Sequence, residues 1–428
     1  MAALEYLFGL EFHGHKFGLE NIRAITTALG RPQDAFRSVS IAGTNGKGSV
    51  SAMVERALRS AGHRTGLYTS PHLVSLAERF VIDGVMAADA EIDAALDEVR
   101  AAVDGLVASG GLRAQPTFFE VATAMALVLF RRRGVEVAVL EVGLGGRLDA
   151  TTVAEPVAGA ITTIDLDHQA YLGGTIAEIA REKAGIAKPG MTVLCGERKP
   201  EAAAVIEDAC REAGAAYISA WDGVTLDVSS TRGVTTAAIR TPVRVYPPVR
   251  LALRGAHQAA NAVVAVRLLE VLDAAGVRVP AAAVLDGLHD TRWRGRLDLV
   301  PYGAGRLLLV DAAHNPAGAA GLAAYLREAH PGGVPFVFGA MADKDIAGML
   351  AALLPCATRV VLTRPPSPRA ADPEDVRTLV ADAYPRLPVL VEPDPVAAVD
   401  RAFGSDPLVC VAGSIYLLGA IVGADRRG

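Results

Sequence analysis

The stretch SIAGTNGKGSVS, residues 40–51, joins the end of an apolar run to the start of a helical pattern through closely spaced glycines. Glycines at a strand-to-helix turn let the backbone approach an anion, and the N–H groups of a helix N-terminus attract negative charge. Lys47 can reach the β- and γ-phosphates of a nucleotide, and Ser49 can ligate magnesium, as in a P-loop. The alternative, a turn whose glycines serve geometry alone, gives no role to the lysine and the hydroxyl. The stretch therefore predicts a phosphate-binding loop.

Short apolar runs alternate with helical patterns on both sides of this loop, which is typical of a doubly wound sheet. The sequence predicts an α/β protein, with a P-loop-containing, mostly parallel sheet domain in residues 1–293 and a smaller Rossmann-like α/β domain in residues 294–428. The predicted strands lie at 39–42, 65–68, 135–142, 157–164, 307–311, 336–338, 359–362 and 408–412. The predicted helices lie at 49–61, 118–132 and 259–272. Residues 217–249 are predicted as a small β excursion, with a hinge near 291–298.

The composition restricts the class of protein. Of the 428 residues, 51% are hydrophobic, and the net charge is −5 without a long basic run, so we expect neither a nucleic-acid nor a membrane partner. The four cysteines are scattered without a C-x-x-C pair, which argues against a zinc site and a disulfide framework. We find no signal peptide and no 18-residue apolar span, and therefore expect a cytoplasmic protein.

Polar residues follow several predicted strands, at the edge where open parallel sheets bind ligands. Ser70 and His72 lie in TSPHL, residues 69–73, for which a proline-stopped strand end is the alternative interpretation. Glu141 and Asp149 flank a glycine loop. His168 follows a strand beside two acids, which makes it a candidate metal ligand.

Two residues have both a structural and a functional interpretation. Glu120 ends the sequence TFFE, residues 117–120, which also fits a capping box. Lys183 falls on the apolar face of a helical pattern that contains Ile176 and Ile179. Burial would lower its pKa and leave a neutral amine able to react with carbon dioxide. A lysine near a helix end can also extend its ammonium into solvent, so the sequence leaves both alternatives open.

The second predicted domain repeats the pattern of polar residues after strands. Asp311, His314 and Asn315 follow the strand at 307–311, and residues 342–345 and 411–416 follow two others. Several polar groups at one sheet edge predict a cleft, which we expect to face the first domain across the hinge.

These stretches resemble the folylpolyglutamate synthases, including the bifunctional dihydrofolate synthase type, within the Mur ligase superfamily of ATP-dependent amide-bond-forming enzymes. The phosphate loop and TSPHL carry much of the resemblance, which runs through nearly the whole chain. The matching segments lie, in order, at residues 18–23, 42–49, 69–73, 117–120, 140–151, 167–168, 182–186, 258–262, 295–297, 311–316, 343–345 and 413–416.

The resemblance also implies site residues. It implies that ATP is bound by Thr44, Asn45, Gly46, Lys47, Gly48, Ser49, Asn261, Arg296 and Asp311. It implies magnesium ligands at Ser70, Glu120 and His168, with Ser49 contributing beside the loop. Lys183 would be carbamylated, Arg147, Leu148 and Asp149 would belong to the folate site, and His314 and Ser414 would meet the incoming glutamate. The catalytic residues would be Lys47, Lys183 and His314.

The implied activity is ATP- and Mg²⁺-dependent addition of L-glutamate to tetrahydrofolate, and to dihydropteroate, through an acyl phosphate, by a monomer acting on small molecules. Two departures from the family pattern concern the pterin side: Thr152 replaces the usual asparagine, and residues 15–19, from His15 onward, lack an acidic form found in some bifunctional members. Whether dihydropteroate is accepted is therefore left open. A cell-wall Mur-type ligase would need a UDP-sugar site that the sequence does not show. A P-loop switch would hydrolyse ATP without depending on folate.

Overall fold

The computed structural model describes residues 6–7, 9–10, 18–112, 114–303 and 305–424. The chain divides into two compact units. The first comprises Met1–Thr225, Ile239–Tyr246 and Asn261–Thr291, and the second comprises Leu226–Ala238, Pro247–Ala260 and Arg292–Gly428. The predicted domains, 1–293 for ATP and folate and 294–428 for glutamate ligation, stay a prediction. The departure at His15 lies outside the described residues.

The first unit is built on one large sheet. Its strands are β1 (Arg37–Ala42), β2 (Thr65–Tyr68), β3 (Phe80–Ile82), β4 (Val85–Met86), β5 (Val137–Glu141), β6 (Pro156–Ile161), β7 (Thr192–Cys195) and β8 (Ala216–Ser219). Their spatial order is β4-β3-β2-β5-β1-β6-β7-β8. The six strands from β2 to β8 in this order pair in parallel, while β3 and β4 add an antiparallel edge. The phosphate loop thus follows a central strand.

Helices cover this sheet. They are α1 (Glu20–Ala28), α2 (Lys47–Ser60), α3 (Asp89–Ala108), α4 (Phe118–Arg132), α5 (Gln169–Leu172), α6 (Ile176–Ala184), α7 (Pro200–Ala213), α8 (Ala256–Ala274) and α9 (Ala281–Asp290), with 3₁₀ helices at Pro32–Ala35, Leu76–Arg79 and Ala150–Val153. Every residue of β5 is buried, as in a parallel strand whose two faces are both covered. One apolar cluster joins α1, α3 and α4 to β5, and another joins α6 and α7 to β6 and β7.

A second, smaller sheet organises the second unit. Its strands are β12 (Asp298–Tyr302), β13 (Arg306–Asp311), β14 (Val334–Phe338), β15 (Ala357–Leu362), β16 (Val389–Val391) and β17 (Leu408–Ala412), in the order β12-β13-β17-β14-β15-β16. Only β12, among these strands, pairs antiparallel. The helices are α10 (Pro316–Ala329), α11 (Ile346–Leu353), α12 (Pro373–Ala383), α13 (Pro395–Phe403) and α14 (Ile415–Ala424), with a 3₁₀ helix at Leu354–Cys356.

The observed elements confirm the α/β class and its mostly parallel sheets. One expectation was wrong at its start: residues 217–219 belong to β8 of the large sheet, because they pair in parallel with β7. The β excursion itself begins later, as a three-stranded sheet of β9 (Thr225–Thr231), β10 (Val234–Arg240) and β11 (Val245–Arg250).

Cys195, Cys210, Cys356 and Cys410 are buried free thiols. No helix in the described part of the chain is long and apolar enough to cross a bilayer.

The close packing behind the phosphate loop generates a stability prediction. Gly43 has φ +142, and a Cβ atom there would lie 1.8 Å from Thr162 Oγ1. We expect Gly43→Ala to lower the free energy of unfolding by about 1–3 kcal/mol more than Gly62→Ala does. Gly62 is the matched control, since it also has a positive φ, +93, but nothing within 4 Å of an added Cβ. Equal losses for the two variants in urea unfolding would contradict the tight packing.

Candidate active site

The phosphate loop turns sharply between β1 and α2. Gly46 caps α2 with φ 89, and a Cβ atom there would lie 2.5 Å from Asn261 Oδ1. The Asn261 side chain therefore lies directly against the loop, as expected for a residue of the nucleotide site. Thr44 and Ser49 are buried in the same region.

The loop is also held by the segment that follows β6. The Thr44 backbone N–H donates to Thr163 O at 2.6 Å, and Thr162 Oγ1 donates to Asn45 O at 2.6 Å. The Thr44 hydroxyl lies 3.2 Å from Asp165 O and 3.1 Å from Asp165 N, so it can donate to the first and accept from the second. The phosphate loop after β1 is thus fixed by the segment that follows its parallel neighbour β6.

Lys47 and Lys183 meet at one carbonyl group. Lys47 Nζ donates to Gly43 O at 3.0 Å and to Thr44 O at 3.2 Å, and Lys183 Nζ donates to Gly43 O at 2.8 Å. The sequence places these lysines about 136 residues apart, and the fold brings both to the phosphate loop.

Lys183 is buried, with 5% of its surface exposed, so the structure favours the buried alternative over the solvent-exposed one. Burial lowers the pKa of its ammonium to about 7, and the charge of Lys47 acts in the same direction, while Asp167 and Asp149 oppose it. A substantial fraction of the amine is therefore neutral at neutral pH, which is the form that reacts with carbon dioxide.

Asp149 shapes the glycine loop, residues 143–149, from within. Its Oδ2 accepts from the backbone N–H groups of Gly143 and Leu144 at 3.0 and 2.9 Å. Its Oδ1 accepts from the Thr151 N–H and hydroxyl at 3.0 and 2.6 Å. Burial raises the pKa of this carboxyl, and these four donors act in the opposite direction. Leu148 is half-buried beside it.

The same loop packs tightly on the end of α6. A Cβ atom on Gly146 would lie 2.6 Å from Lys183 O, and one on Gly185 would lie 2.3 Å from Arg147 Cβ. The exposed Arg147 guanidinium pairs with Glu182 at 2.8 Å. Arg147 and Asp149 thus contact protein groups that fix the loop.

The surroundings of Ser70, Glu141 and Glu120 bear on which of them could bind a metal. The Ser70 backbone N–H donates to Glu141 Oε2 at 3.4 Å, because β2 and β5 are parallel neighbours that end together. Glu120 instead forms the capping box: its Oε2 accepts from the Thr117 N–H at 2.8 Å and from the Thr117 hydroxyl at 3.0 Å. Glu141 is not among the predicted ligands, although its position at a strand end beside that of Ser70 is a usable signal in the sequence.

His168 lies exposed after β6, in a left-handed conformation with φ 50, and its Nε2 is 3.9 Å from Asp167 Oδ1. No group of three or more His, Cys, Asp or Glu side chains that could hold a metal ion occurs among the residues described.

His72 is neutral, since burial and Arg79 lower its pKa to about 4, and its Nδ1 accepts from Arg79 Nε at 2.9 Å.

The second unit carries its own set of polar groups at the end of β13. Asp311 Oδ2 accepts from the Leu297 N–H, and Oδ1 accepts from the Ala313 N–H, both at 2.9 Å. The Ala312 N–H donates to Gly295 O at 2.8 Å, so Arg296 lies in a segment fixed at both sides to the β13 end. Asp311 thus anchors the backbone around Arg296.

His314 Nδ1 lies 2.8 Å from Ala312 O, and because a carbonyl only accepts, Nδ1 carries a proton. Ser414 is buried at the start of α14, where its Oγ accepts from the Tyr416 N–H at 3.2 Å. The Gly413 N–H donates to Ala313 O at 3.1 Å, so the ends of β13 and β17 lie together within this unit.

Comparison with known proteins agrees with this architecture. Residues 41–269 match the Mur ligase middle domain, and residues 295–415 match the Mur ligase, glutamate ligase domain. The chain is 38% identical, over 97% of its length, to a probable bifunctional folylpolyglutamate synthase/dihydropteroate synthase of Halobacterium salinarum, of which it covers 50%. It is 31% identical, over 98% of its length, to a dihydrofolate synthase/folylpolyglutamate synthase of Bacillus subtilis, of which it covers 97%.

Solved structures are similar over almost the whole chain. The Mycobacterium tuberculosis folylpolyglutamate synthase complexed with ADP has a TM-score of 0.90 at 33% identity, covering 99% of this chain and 98% of that one. A bifunctional folylpolyglutamate synthase/dihydrofolate synthase with Mn, AMPPNP and L-glutamate bound has a TM-score of 0.84 at 29% identity, covering 99% and 98%.

A phosphate loop on a parallel sheet, followed by a Mur-type glutamate ligase domain, defines the Mur ligase class of α/β proteins. Within that class, the chain belongs to the family of folylpolyglutamate and dihydrofolate synthases. The resemblance found in the sequence is thereby confirmed. The chain spans about half the length of the Halobacterium salinarum relative and of a similarly named relative from Haloferax volcanii.

The burial of Lys183 predicts a pH dependence of stability. Its pKa is about 7 in the folded protein and about 10.4 in an unfolded chain. Between these values the unfolded chain binds a proton that the folded protein does not, so the contribution of Lys183 to the free energy of unfolding rises with pH. We expect the free energy of unfolding of the parent, minus that of Lys183→Met, to rise by roughly 1 kcal/mol per pH unit between pH 7.5 and 9.

The measurement is urea unfolding in buffers purged of carbon dioxide, so that the free amine is compared. Parallel pH profiles for the two proteins would show that Lys183 is charged in the folded state.

Proposed function

We propose that this protein is an ATP-dependent ligase that adds L-glutamate to tetrahydrofolate, and to dihydropteroate, through an acyl phosphate. The observation that carries the proposal is the phosphate loop in which Lys47 and Lys183 meet at Gly43 O, with Asn261 against Gly46. Membership of the synthase family supports it, and so do the nucleotide, manganese and glutamate that similar structures hold.

The first step is the attack of a substrate carboxylate oxygen on the γ-phosphorus of ATP. A new P–O bond forms, the bond to the β-phosphate oxygen breaks, and ADP leaves. Lys47 would hold positive charge beside the transferring phosphoryl group, and Gly48 would leave room for the approaching carboxylate. Arg296 and Asp311 stay predicted ATP-binding residues.

The second step is amide formation. The amine of L-glutamate attacks the acyl carbon, the C–O bond to phosphate breaks, and inorganic phosphate and a proton are released. His314 and Ser414 would meet the glutamate. An imidazole that donates from Nδ1 to Ala312 O accepts a proton only at Nε2, which would be the basic atom of His314 in this step.

The oxygen-rich donor set beside the loop fits a magnesium ion. Mg²⁺ is commonly held by one or two carboxylates and by substrate phosphates, and Ser70 and Glu141 lie together at this edge. When bound, the ion would neutralise phosphate charge. Ser49 and His168 stay predicted ligands, while for the carboxylate the structure offers Glu141 as an alternative to the predicted Glu120, whose Oε2 accepts the cap hydrogen bonds of Thr117.

Carbamylation of Lys183 would join its neutral amine to carbon dioxide, with a new N–C bond and release of one proton. The product keeps one N–H, which can still donate to Gly43 O. The folate site would include Arg147, Leu148 and Asp149 through the shape of the glycine loop. The monomeric state and the cytoplasmic location stay predictions.

The direct test is incorporation of labelled L-glutamate with ATP and magnesium, in separate reactions with tetrahydrofolate and dihydropteroate. We expect label in both reactions, and label with tetrahydrofolate alone would restrict the activity to polyglutamylation. Lys47→Ala should lower turnover roughly 100-fold or more, because it removes charge stabilisation at the phosphoryl group. Folate-independent ATP hydrolysis without incorporation would favour the switch, and incorporation into a UDP-sugar peptide precursor alone would favour a cell-wall ligase.

The two candidate carboxylates can be separated by matched substitutions. Glutamine replaces either side chain with nearly the same shape, and at position 120 it can still accept the cap hydrogen bonds. We expect Glu141→Gln to raise the magnesium concentration for half-maximal activity roughly tenfold or more. Glu120→Gln should leave it within about twofold. The reverse result would assign the metal to Glu120.

A further inference from the structure

A lysine bridges two carboxylates directly behind the phosphate loop. Lys199 Nζ donates to Asp165 Oδ1 at 2.9 Å and to Ile164 O at 2.7 Å, and lies 3.6 Å from Glu197 Oε2. The Glu197 side chain is 4% exposed, whereas that of Lys199 is 42% exposed. Lys199 therefore supplies the positive charge for a buried acid and for Asp165 together.

Glu197 fixes this arrangement to the sheet. Its Oε1 accepts from the backbone N–H groups of Arg198 and Lys199, both at 2.7 Å. Its Oε2 accepts from the Ile164 N–H. The segments after β6 and β7 are thus joined by one carboxylate, and Lys199 starts from a fixed backbone position.

Asp165 connects this arrangement to the phosphate loop through hydrogen bonds. Its Oδ2 accepts from Asn45 Nδ2 at 3.4 Å, while its backbone N–H and C=O both meet the Thr44 hydroxyl. Thr44 and Asn45 belong to the predicted ATP site, so the orientation of Asp165 sets the loop that would receive the phosphates.

The positive charge of Lys199 also offsets the negative charge of Asp165. A carboxylate that orients an anion-binding loop also repels the anion, and an uncompensated charge is costly near a partly buried site. The salt bridge from Lys199 offsets the charge of Asp165 at 2.9 Å. Asp165 can then hold Asn45 without opposing the polyphosphate.

We propose that Lys199 is a positioning residue for ATP, which orients Asp165 behind the phosphate loop and cancels its charge. The proposal rests on the proposed function for the identity of the nucleotide. Lys199 itself touches neither substrate nor the reacting atoms in this proposal.

The test is the affinity of the full chain for magnesium AMPPNP, measured by calorimetry, together with steady-state kinetics. We expect Lys199→Met to raise the Kd for the nucleotide and the KM for ATP roughly 10- to 100-fold. The KM for tetrahydrofolate should change by less than about twofold. Lys199→Arg should restore most of the affinity, because it keeps the positive charge.

A double variant tests the charge argument. In Lys199→Met/Asp165→Asn the uncompensated carboxylate is absent, so we expect nucleotide affinity above that of Lys199→Met alone. Arg244→Met is the matched control: it removes a part-buried ion pair with Asp273 in the same unit, with 28% and 27% exposed side chains, and the Arg244 guanidinium otherwise donates to Val279 O. It should leave the Kd unchanged.

If Lys199→Met weakens nucleotide binding no more than Arg244→Met, the pair is only structural and the proposal is wrong. Nucleotide binding by the parent without glutamate incorporation would overturn the ligase function, while the affinities of the variants would still decide the role of Lys199. A parent that does not bind magnesium AMPPNP would overturn both.

Discussion

The structure of the first unit depends on the close approach of the backbone at Gly43 to its neighbours. Its carbonyl accepts from Lys47 and Lys183, and its α-carbon faces Thr162 with no room for a side chain. These contacts join the turn after β1 and the start of α2 to the segment after β6 and to α6. The geometry of the loop is therefore a property of the whole sheet edge.

Several buried carboxylates lie near the predicted sites for anionic substrates, and their negative charge is compensated by hydrogen bonds. Asp149, Asp311 and Glu197 each accept from backbone N–H groups, which compensate their charge and also fix the loops. In an enzyme that aligns ATP with a carboxylate substrate, acids held in this way can define loop shape at little electrostatic cost. Carboxylates that bind a metal would need oxygens that remain available to it.

Much of this could be predicted from the sequence, because the signals were local. The helix at 118–132 and the capping box at Thr117 appear in the structure, since the capping box depends on residues only three apart. Helical periodicity placed Lys183 on the apolar face of α6 but left its burial open, which the structure decided. The assignment of residues 217–219 failed because β8 pairs with β7, and strand pairing is not written in a short segment. Ser70 and Glu141 were both placed at this sheet edge from the sequence, but a position at a strand end does not by itself identify a metal ligand. The roles given to the site residues depend on ligands and stay predictions.

The contact between the glycine loop and α6 has a mechanical consequence. At Gly146 and Gly185 the glycine loop and the end of α6 lie too close for an added methyl group, and Lys183, in the last turn of α6, donates to the phosphate loop. Neither glycine has a side chain that could adjust, and the nearest atoms across the contact include backbone atoms of Lys183 and Arg147. We therefore expect a displacement of the glycine loop to move the end of α6, and with it Lys183.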